Sequence, residues 1–519
     1  MSDFDPSAAL ARLAFALHCW ERETCLDPKW LATVERVIAG EKVSSTAPAD
    51  RSLSELAQLA APGLAAAEAD RPTVEQFQAV IRAVHILDQW HEPLLEAMRG
   101  AARSEAHAAA YARLRPEAES RANGGGYNAA GRHGRMIPAR LAATHLEADK
   151  KGEAKRSLLV ELLHFTTYLP QTITAGHPSN PESPERRQIG LRYLLPGQEL
   201  ADGRDPLPAQ PVIAVAPVLQ SLDHAQVHAL PDQPAYTVRP IYPEDRLRGI
   251  VEQALEAGSH ILFLPEMSVN EEHLDRLGHI LRTCSGAHSR RHGLPELRYV
   301  VAGIWGPPTE ARPRHRNYIQ VLNILGERLA EQDKLSRWDL SEDQQKRYDI
   351  QPGCGAPAWL EEHIHPGENI WIMDLWPFGR FLTLICADMS HDQPGDWLVQ
   401  NVAIDWLHAP IMDKSIDCVR TPEGRLEPWI VDRAERALEH GVDRIIVTNS
   451  TLLTLRLNEA NIRRADPRYP PVGECVVGFF IDGSGPRRRY RKASIPVDVD
   501  EPMVDAVPWL HRFAPFPPV

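Results

Sequence analysis

A chain of 519 residues is too long for one ordinary domain, and two or three are expected. With 43% hydrophobic and 24% charged residues the composition is globular, and a formal charge of -13 argues against a general nucleic-acid binder. Seven cysteines stand singly at 19, 25, 284, 354, 386, 418 and 475, without paired-ligand spacing, which fits a reducing compartment and not a disulfide framework. No apolar run approaches the roughly 20 residues needed to cross a bilayer. The acidic N-terminus lacks a signal-peptide core. A cytoplasmic protein without membrane contact is expected.

Residues 1–175 read as a helical N-terminal domain, rich in alanine and leucine. Thr73 to Met98 is the clearest segment, with Phe77, Val80, Ile81, Val84, Leu87 and Trp90 at helical spacing. Thr73 and Gln76 have the spacing of a capping box. The glycine-rich run Asn123–Asn128 lacks the lysine of a phosphate loop and reads as a connection. Residues 176–210 hold the helix-breaking run His177–Pro184 and read as a linker.

From 211 to 519 strands and helices alternate, as in a layered α/β domain. Val212–Val218, His260–Leu264, Arg298–Trp305 and Tyr318–Leu325 read as strands, and Glu244–Ala257 as an amphipathic helix. Further strands are expected at Phe381–Ile385, Val402–Leu407, Arg444–Val447 and Val476–Ile481, with a helix at Trp429–His440 stopped by Gly441. The basic run Arg487–Lys492 reads as a solvated strand end.

Three chemically capable side chains follow strands in this part. Glu266 comes after Leu264-Pro265, Lys334 after Glu331-Gln332-Asp333, and Cys386 between Ile385 and Ala387-Asp388. In layered α/β proteins ligands bind outside the carboxyl ends of strands. A thiol, a carboxylate and an ammonium there supply a nucleophile, a proton carrier and a fixed charge. Taken singly, each has a plainer reading, as a core thiol, a helix-start acid and a surface charge.

In order and context, these motifs resemble the nitrilase (carbon–nitrogen hydrolase) superfamily over roughly residues 210–500, leaving the first 200 outside. The resemblance implies a four-layer α-β-β-α sandwich of two packed sheets, preceded here by an all-α domain. It implies hydrolysis of a non-peptide C–N bond in a small amide, carbamoyl or nitrile substrate through a Cys386 thioester. Glu266 would be the proton carrier and Lys334 the oxyanion holder. It also implies a homodimer or larger homo-oligomer, paired through the helices that flank the cysteine. Asp388 and Asn449, at strand ends, are substrate-pocket candidates. The family's second acid would fall at Gln345, where this chain departs from it; Glu342 and Asp343 stand nearby, and Glu342 is the candidate for that role. The departure keeps open an alternative: a catalytically impaired sensing or scaffold module whose helical domain docks a partner, a setting known from bacterial phage defence. No cofactor is expected, and His363 and His365 lack the further ligands a metal site needs.

Overall fold

The computed structural model describes residues 6–24, 52–69, 72–91, 135–138, 163, 166–175, 187–194, 429–464, 474–482, 491–498 and 509–512. It also describes 212–413 apart from 220–221, 232, 242–243, 294, 351–358, 376–378, 391 and 403. The Asn123–Asn128 run, His177–Pro184, His391, Cys25, Cys354, Cys418 and most of Arg487–Lys492 lie outside the described residues.

The chain is mixed α/β, and two large sheets dominate it. The seven-stranded sheet runs in the order Arg328–Asp333, Arg316–Asn323, Tyr299–Gly306, Ile261–Phe263, Val212–Val215, Trp509–Arg512, with Val269–Asn270 also on Tyr299–Gly306. The eight-stranded sheet runs Arg491–Asp498, Glu474–Asp482, Arg444–Thr448, Trp406–Pro410, Gly379–Thr383, Asn369–Leu375, Arg187–Leu194, Thr172–Ala175. Each has a parallel centre flanked by antiparallel strands.

Side chains alternate between the faces of a strand, and the buried residues sort accordingly. Ile213, Val215, Phe263, Tyr299 and Val301 share one core with Ile189, Leu191, Ile372, Phe381, Trp406 and Ile446 of the other sheet. Their neighbours Ala214, Leu262, Val300 and Ala302 turn the other way, onto helices Glu244–Glu256 and Leu274–His292. Leu247, Ile250, Val251, Ala254 and Leu255 form the buried stripe of the first of these helices, as their spacing predicts. Helix Trp429–Glu439 adds Ile430, Val431 and Ala434 to the eight-stranded sheet's core and ends at Gly441, whose φ of +97° suits glycine.

Near the N-terminus, helices Pro6–Thr24, Leu53–Ala66 and Val74–Trp90 pack around Leu10, Leu13, Leu17, Leu56, Phe77, Val80 and Ile81. The Thr73/Gln76 capping box is formed, and a second one joins Ser52 to Glu55. The expected all-α stretch nevertheless contains strands. Arg135–Pro138 pairs antiparallel with Thr166–Leu169, and Met136 and Tyr168 complete the helical core. Asp88 accepts hydrogen bonds from the backbone N and Oγ1 of Thr166 at 2.9 and 2.6 Å. Thr172–Ala175 and Arg187–Leu194 also belong to the eight-stranded sheet, although the first was expected in helix and the second in linker. Arg135–Pro138, Thr166–Leu169 and Thr172–Ala175 have four residues each, too few to show a period, and Arg187–Leu194 is secured in parallel by Asn369–Leu375, far along the chain. Val402–Leu407 differs as well: Val402 closes the helix Trp397–Asn401, and the strand is Trp406–Pro410.

Candidate active site

Glu266, Lys334 and Cys386 line one pocket, each delivered by the end of a strand. After Ile261–Phe263 the chain passes Pro265 and turns at Met267, whose φ is +51°. Ser268 Oγ donates to the Pro265 carbonyl at 2.5 Å and holds that turn closed. Glu266, 2% exposed, is thereby aimed inward. Lys334 follows the strand Arg328–Asp333, and its N–H donates to Asn317 O at 2.8 Å. The hairpin that feeds this strand turns at Gly326, φ +73°, where a Cβ would meet the Gly278 carbonyl at 2.3 Å. Only glycine fits that approach.

Cys386 lies at the turn between strand Gly379–Thr383 and the short helix Ala387–Ser390. Its φ of +46° is costly for a residue with a Cβ, and such strain gathers at functional sites. The Cys386 N–H donates to Pro410 O at 2.9 Å, tying the turn to the next strand.

The ammonium of Lys334, 1% exposed, sits between two carboxylates. Nζ is 2.9 Å from Glu266 Oε1 and 2.7 Å from Glu362 Oε2. Asn317 Nδ2 joins the same acids, donating to Glu266 Oε1 at 2.7 Å and Glu362 Oε1 at 3.1 Å. The Trp338 N–H donates to Glu362 Oε2 at 3.0 Å. Burial by itself would lower the lysine, but the flanking carboxylates outweigh it and hold the ammonium well above its usual value. Burial raises Glu362, helped by the charge of Glu266 and opposed by Lys334. Burial also pushes the Cys386 thiol well above its ordinary value, and Glu266, Asp413 and Glu362 reinforce this against Lys334. The shift favours the neutral thiol, and Lys334 does not by itself offset it.

Glu342 does not come to this pocket. It begins the helix Glu342–Arg347, is exposed, and pairs with Lys346 one turn on. Gln345, where the resemblance would place a second acid, spends its amide on Leu340 O at 2.9 Å. The buried carboxylate beside Lys334 belongs instead to Glu362, on strand Trp359–Glu362. No local motif marks it. The one signal is its period-two relation to Leu360, which places both on the buried face.

The pocket candidates Asp388 and Asn449 serve as braces. Both are buried. Asp388 Oδ1 accepts from Ser336 N at 2.8 Å, and both its oxygens accept from Leu335 N at 3.1 Å, so it fixes the turn that follows Lys334. Asn449 clasps the Asp413 backbone from both sides, accepting from its N–H at 3.1 Å and donating to its carbonyl at 2.9 Å. Asp413 itself does line the pocket. The remaining wall is largely apolar and aromatic, including Tyr236, Trp338, Tyr348 and Trp429. The cavity volume is about 50 Å³, room for a few waters or a short ligand. No group of three or more His, Cys, Asp or Glu able to hold a metal occurs among the described residues, and His363 packs instead beside His315, rings 5.3 Å apart.

Neither a family model nor a curated protein matches the chain. Part of it is similar to solved structures, among them an amidase and a carbon-nitrogen hydrolase. An amidase from Nesterenkonia sp. is 16% identical over 56% of this chain and 89% of its own, with a TM-score of 0.30. A carbon-nitrogen hydrolase from Helicobacter pylori G27 is 13% identical over 56% and 90%, TM-score 0.33. The C. elegans NitFhit protein is 16% identical over 56% and 61%, TM-score 0.34. No helix among the described residues is long and apolar enough to cross a membrane.

Proposed function

We propose that the chain is a hydrolase of non-peptide C–N bonds, an amidase in the broad sense, working through a Cys386 thioester. The observation that carries this reading is the buried Lys334 ammonium, held between Glu266 and Glu362 in the pocket that Cys386 lines. As Sγ attacks the substrate carbonyl, Glu266 takes the thiol proton, and the carbonyl oxygen gains the negative charge. Lys334 is fixed and cationic beforehand, so it stabilises that oxyanion without reorganising. Glu266 then passes its proton to the departing nitrogen, leaving a Cys386 thioester and a free amine or ammonia. It next takes a proton from water as the water attacks the thioester, and returns it to Sγ as the C–S bond breaks and the carboxylic acid departs. A neutral resting thiol suits this sequence, because the base acts within the attack step.

Glu362 and Asn317 position Lys334 and Glu266 and keep the lysine charged. With Glu362 at hand, the glutamine at 345 no longer argues for an impaired scaffold. The shared core of the two large sheets, with helices on the outer face of each, supports a four-layer α-β-β-α arrangement for the second part of the chain. We further propose homo-oligomerisation, with one interaction to accommodate: His18 of the first helix approaches Trp397, at the start of the helix Trp397–Asn401, with rings 6.2 Å apart. Light scattering reads the mass directly.

The decisive measurement is ammonia release from a panel of small amides, carbamoyl amines and nitriles, wild type against Cys386→Ala. Turnover that vanishes in the variant supports the reading. Turnover that persists in it, or a wild type inert on the whole panel, overturns it.

A further inference from the structure

Behind the Lys334 cluster lies a second one, centred on Arg316. This residue precedes Asn317 in the strand Arg316–Asn323, so its side chain takes the opposite face, where it is 8% exposed. Its guanidinium grips Asp333 with two prongs, Nε to Oδ1 at 2.8 Å and Nη2 to Oδ2 at 3.0 Å. Nη2 also donates to Glu331, and Nη1 stands 3.6 Å from Glu271 Oε1. The guanidinium carbon is 4.0 Å from the centre of the Tyr318 ring, and the Tyr318 hydroxyl donates to the same Glu271 oxygen at 2.9 Å. Gly306, paired across the sheet with Arg316, leaves the space: a Cβ there would lie 2.9 Å from Glu271 Oε2 and 3.1 Å from Arg316 Cβ.

None of these side chains lines the pocket. Each acid on Arg316 nevertheless belongs to a segment that presents Lys334 or Glu266. Asp333 immediately precedes Lys334, whose N–H is bonded to Asn317 O at 2.8 Å, and Glu331 is on the same strand. Asn317 itself follows Arg316 and holds both Glu266 and Glu362. Glu271 heads the short turn Glu271–His273, joined to Glu266 through the buried strand Val269–Asn270.

Three carboxylates thus converge on one guanidinium, and without it they repel one another. Burial opposes its charge, but the bonds and fields of Asp333 and Glu331 outweigh that and hold it above its usual value. A planar fork fixes two carboxylate oxygens at once, which a point charge does not. The arrangement therefore sets distance as well as charge.

Resting on the hydrolase reading above, we infer that Arg316 is a positioning residue for that reaction: from outside the pocket it sets the spacing of the segments that carry Glu266, Asn317 and Lys334. A displacement of about 1 Å at such groups can cost about 100-fold in rate. Disturbing Arg316 should therefore weaken the chemical step and spare substrate binding.

Arg316→Lys keeps the charge and loses the fork, and Arg316→Met loses both. With propionamide as the probe, kcat should fall about tenfold in Arg316→Lys and about 100-fold in Arg316→Met, with KM within about twofold of wild type. Hydrogen exchange gives a reading that needs no turnover. The Lys334 N–H should exchange about tenfold faster in Arg316→Lys, because its bond to Asn317 O is no longer backed by the fork. Full kcat in Arg316→Lys, a loss confined to KM, or unchanged exchange at Lys334 would overturn the inference. Should Arg316→Met not fold, Arg316→Lys decides alone. A wild type inert on propionamide and on the wider panel would sink the hydrolase reading, while exchange at Lys334 still decides whether Arg316 holds the strand ends. Normal wild-type turnover with an unaffected Arg316→Lys would do the reverse.

Discussion

Gly303 and Pro265 are in such close register that a Cβ on Gly303 would lie 2.0 Å from the Pro265 carbonyl oxygen and 2.8 Å from Glu266 Cα. Strand Tyr299–Gly306 thus passes directly against the backbone that presents the acid. Gly303→Ala should push that backbone outward. Overpacking of this kind costs typically about 1–3 kcal/mol, and it should lower turnover as well, because Glu266 would move off Lys334 and Asn317. Denaturant unfolding and ammonia release should both report a loss. An alanine variant of full stability would show that the contact is softer than the geometry says.

In the proposed mechanism Lys334→Met should abolish turnover, with the loss of about 100- to 1000-fold that removing an oxyanion donor causes. It should also destabilise the protein, because Glu266 and Glu362 would be left buried without their cation. Breaking a buried ion pair on one side costs about 3–5 kcal/mol. Adding Glu362→Gln should recover part of that stability and none of the activity. Equal melting curves for wild type and Lys334→Met would contradict the buried cluster.

Cys386 bears on the pH profile. Burial and then the carboxylates keep the thiol above its ordinary value, so in the proposed mechanism proton removal falls to Glu266 during attack. Turnover should therefore be flat between about pH 8 and 9, where a preformed thiolate would rise nearly tenfold per unit. Iodoacetamide should accordingly alkylate Cys386 no faster than an exposed thiol at neutral pH, despite its strained turn. A unit slope in the rate profile would show that the thiolate forms before attack.

Asp388 is pushed up to about 7 by burial, against the opposing N–H groups of Leu335 and Ser336 and the Lys334 charge. The folded state therefore holds this proton more tightly than the unfolded chain. The resulting stabilisation is complete below the ordinary carboxyl value near 3.8 and is lost as pH rises through about 7. Asp388→Asn cannot titrate, so it should remove that component of the pH dependence while leaving one oxygen for the Ser336 N–H. Melting temperatures of both proteins between pH 4 and 8 give the comparison. Parallel curves would mean that Asp388 titrates outside this range.

The order Glu266, Lys334, Cys386, each beyond an apolar run, was legible in the sequence because strand ends are local events. Apolar period and turn residues mark where a strand stops, and the chemistry-bearing residue follows. The stripe of helix Glu244–Glu256, the Thr73/Gln76 cap and the stop at Gly441 were legible for the same reason. Glu362 was not. Its role depends on a parallel pairing of Glu362 with Tyr236, more than a hundred residues earlier, which carries it to Lys334. Gln345 and Glu342 were nearer in sequence to the expected motif, but helix Glu342–Arg347 turns the first onto Leu340 and the second to solvent. The strand Arg187–Leu194 was hidden similarly, since its parallel partner Asn369–Leu375 is distant in sequence, and Arg135–Pro138 because four residues show no period. Sequence by itself determined which groups could do chemistry and where the chain would expose them. Tertiary structure alone decided which carboxylate faces the lysine, that the shift of the thiol favours its neutral form, and that Asp413 looks into the pocket, because burial and electrostatic coupling are properties of the assembled neighbourhood and of no segment within it.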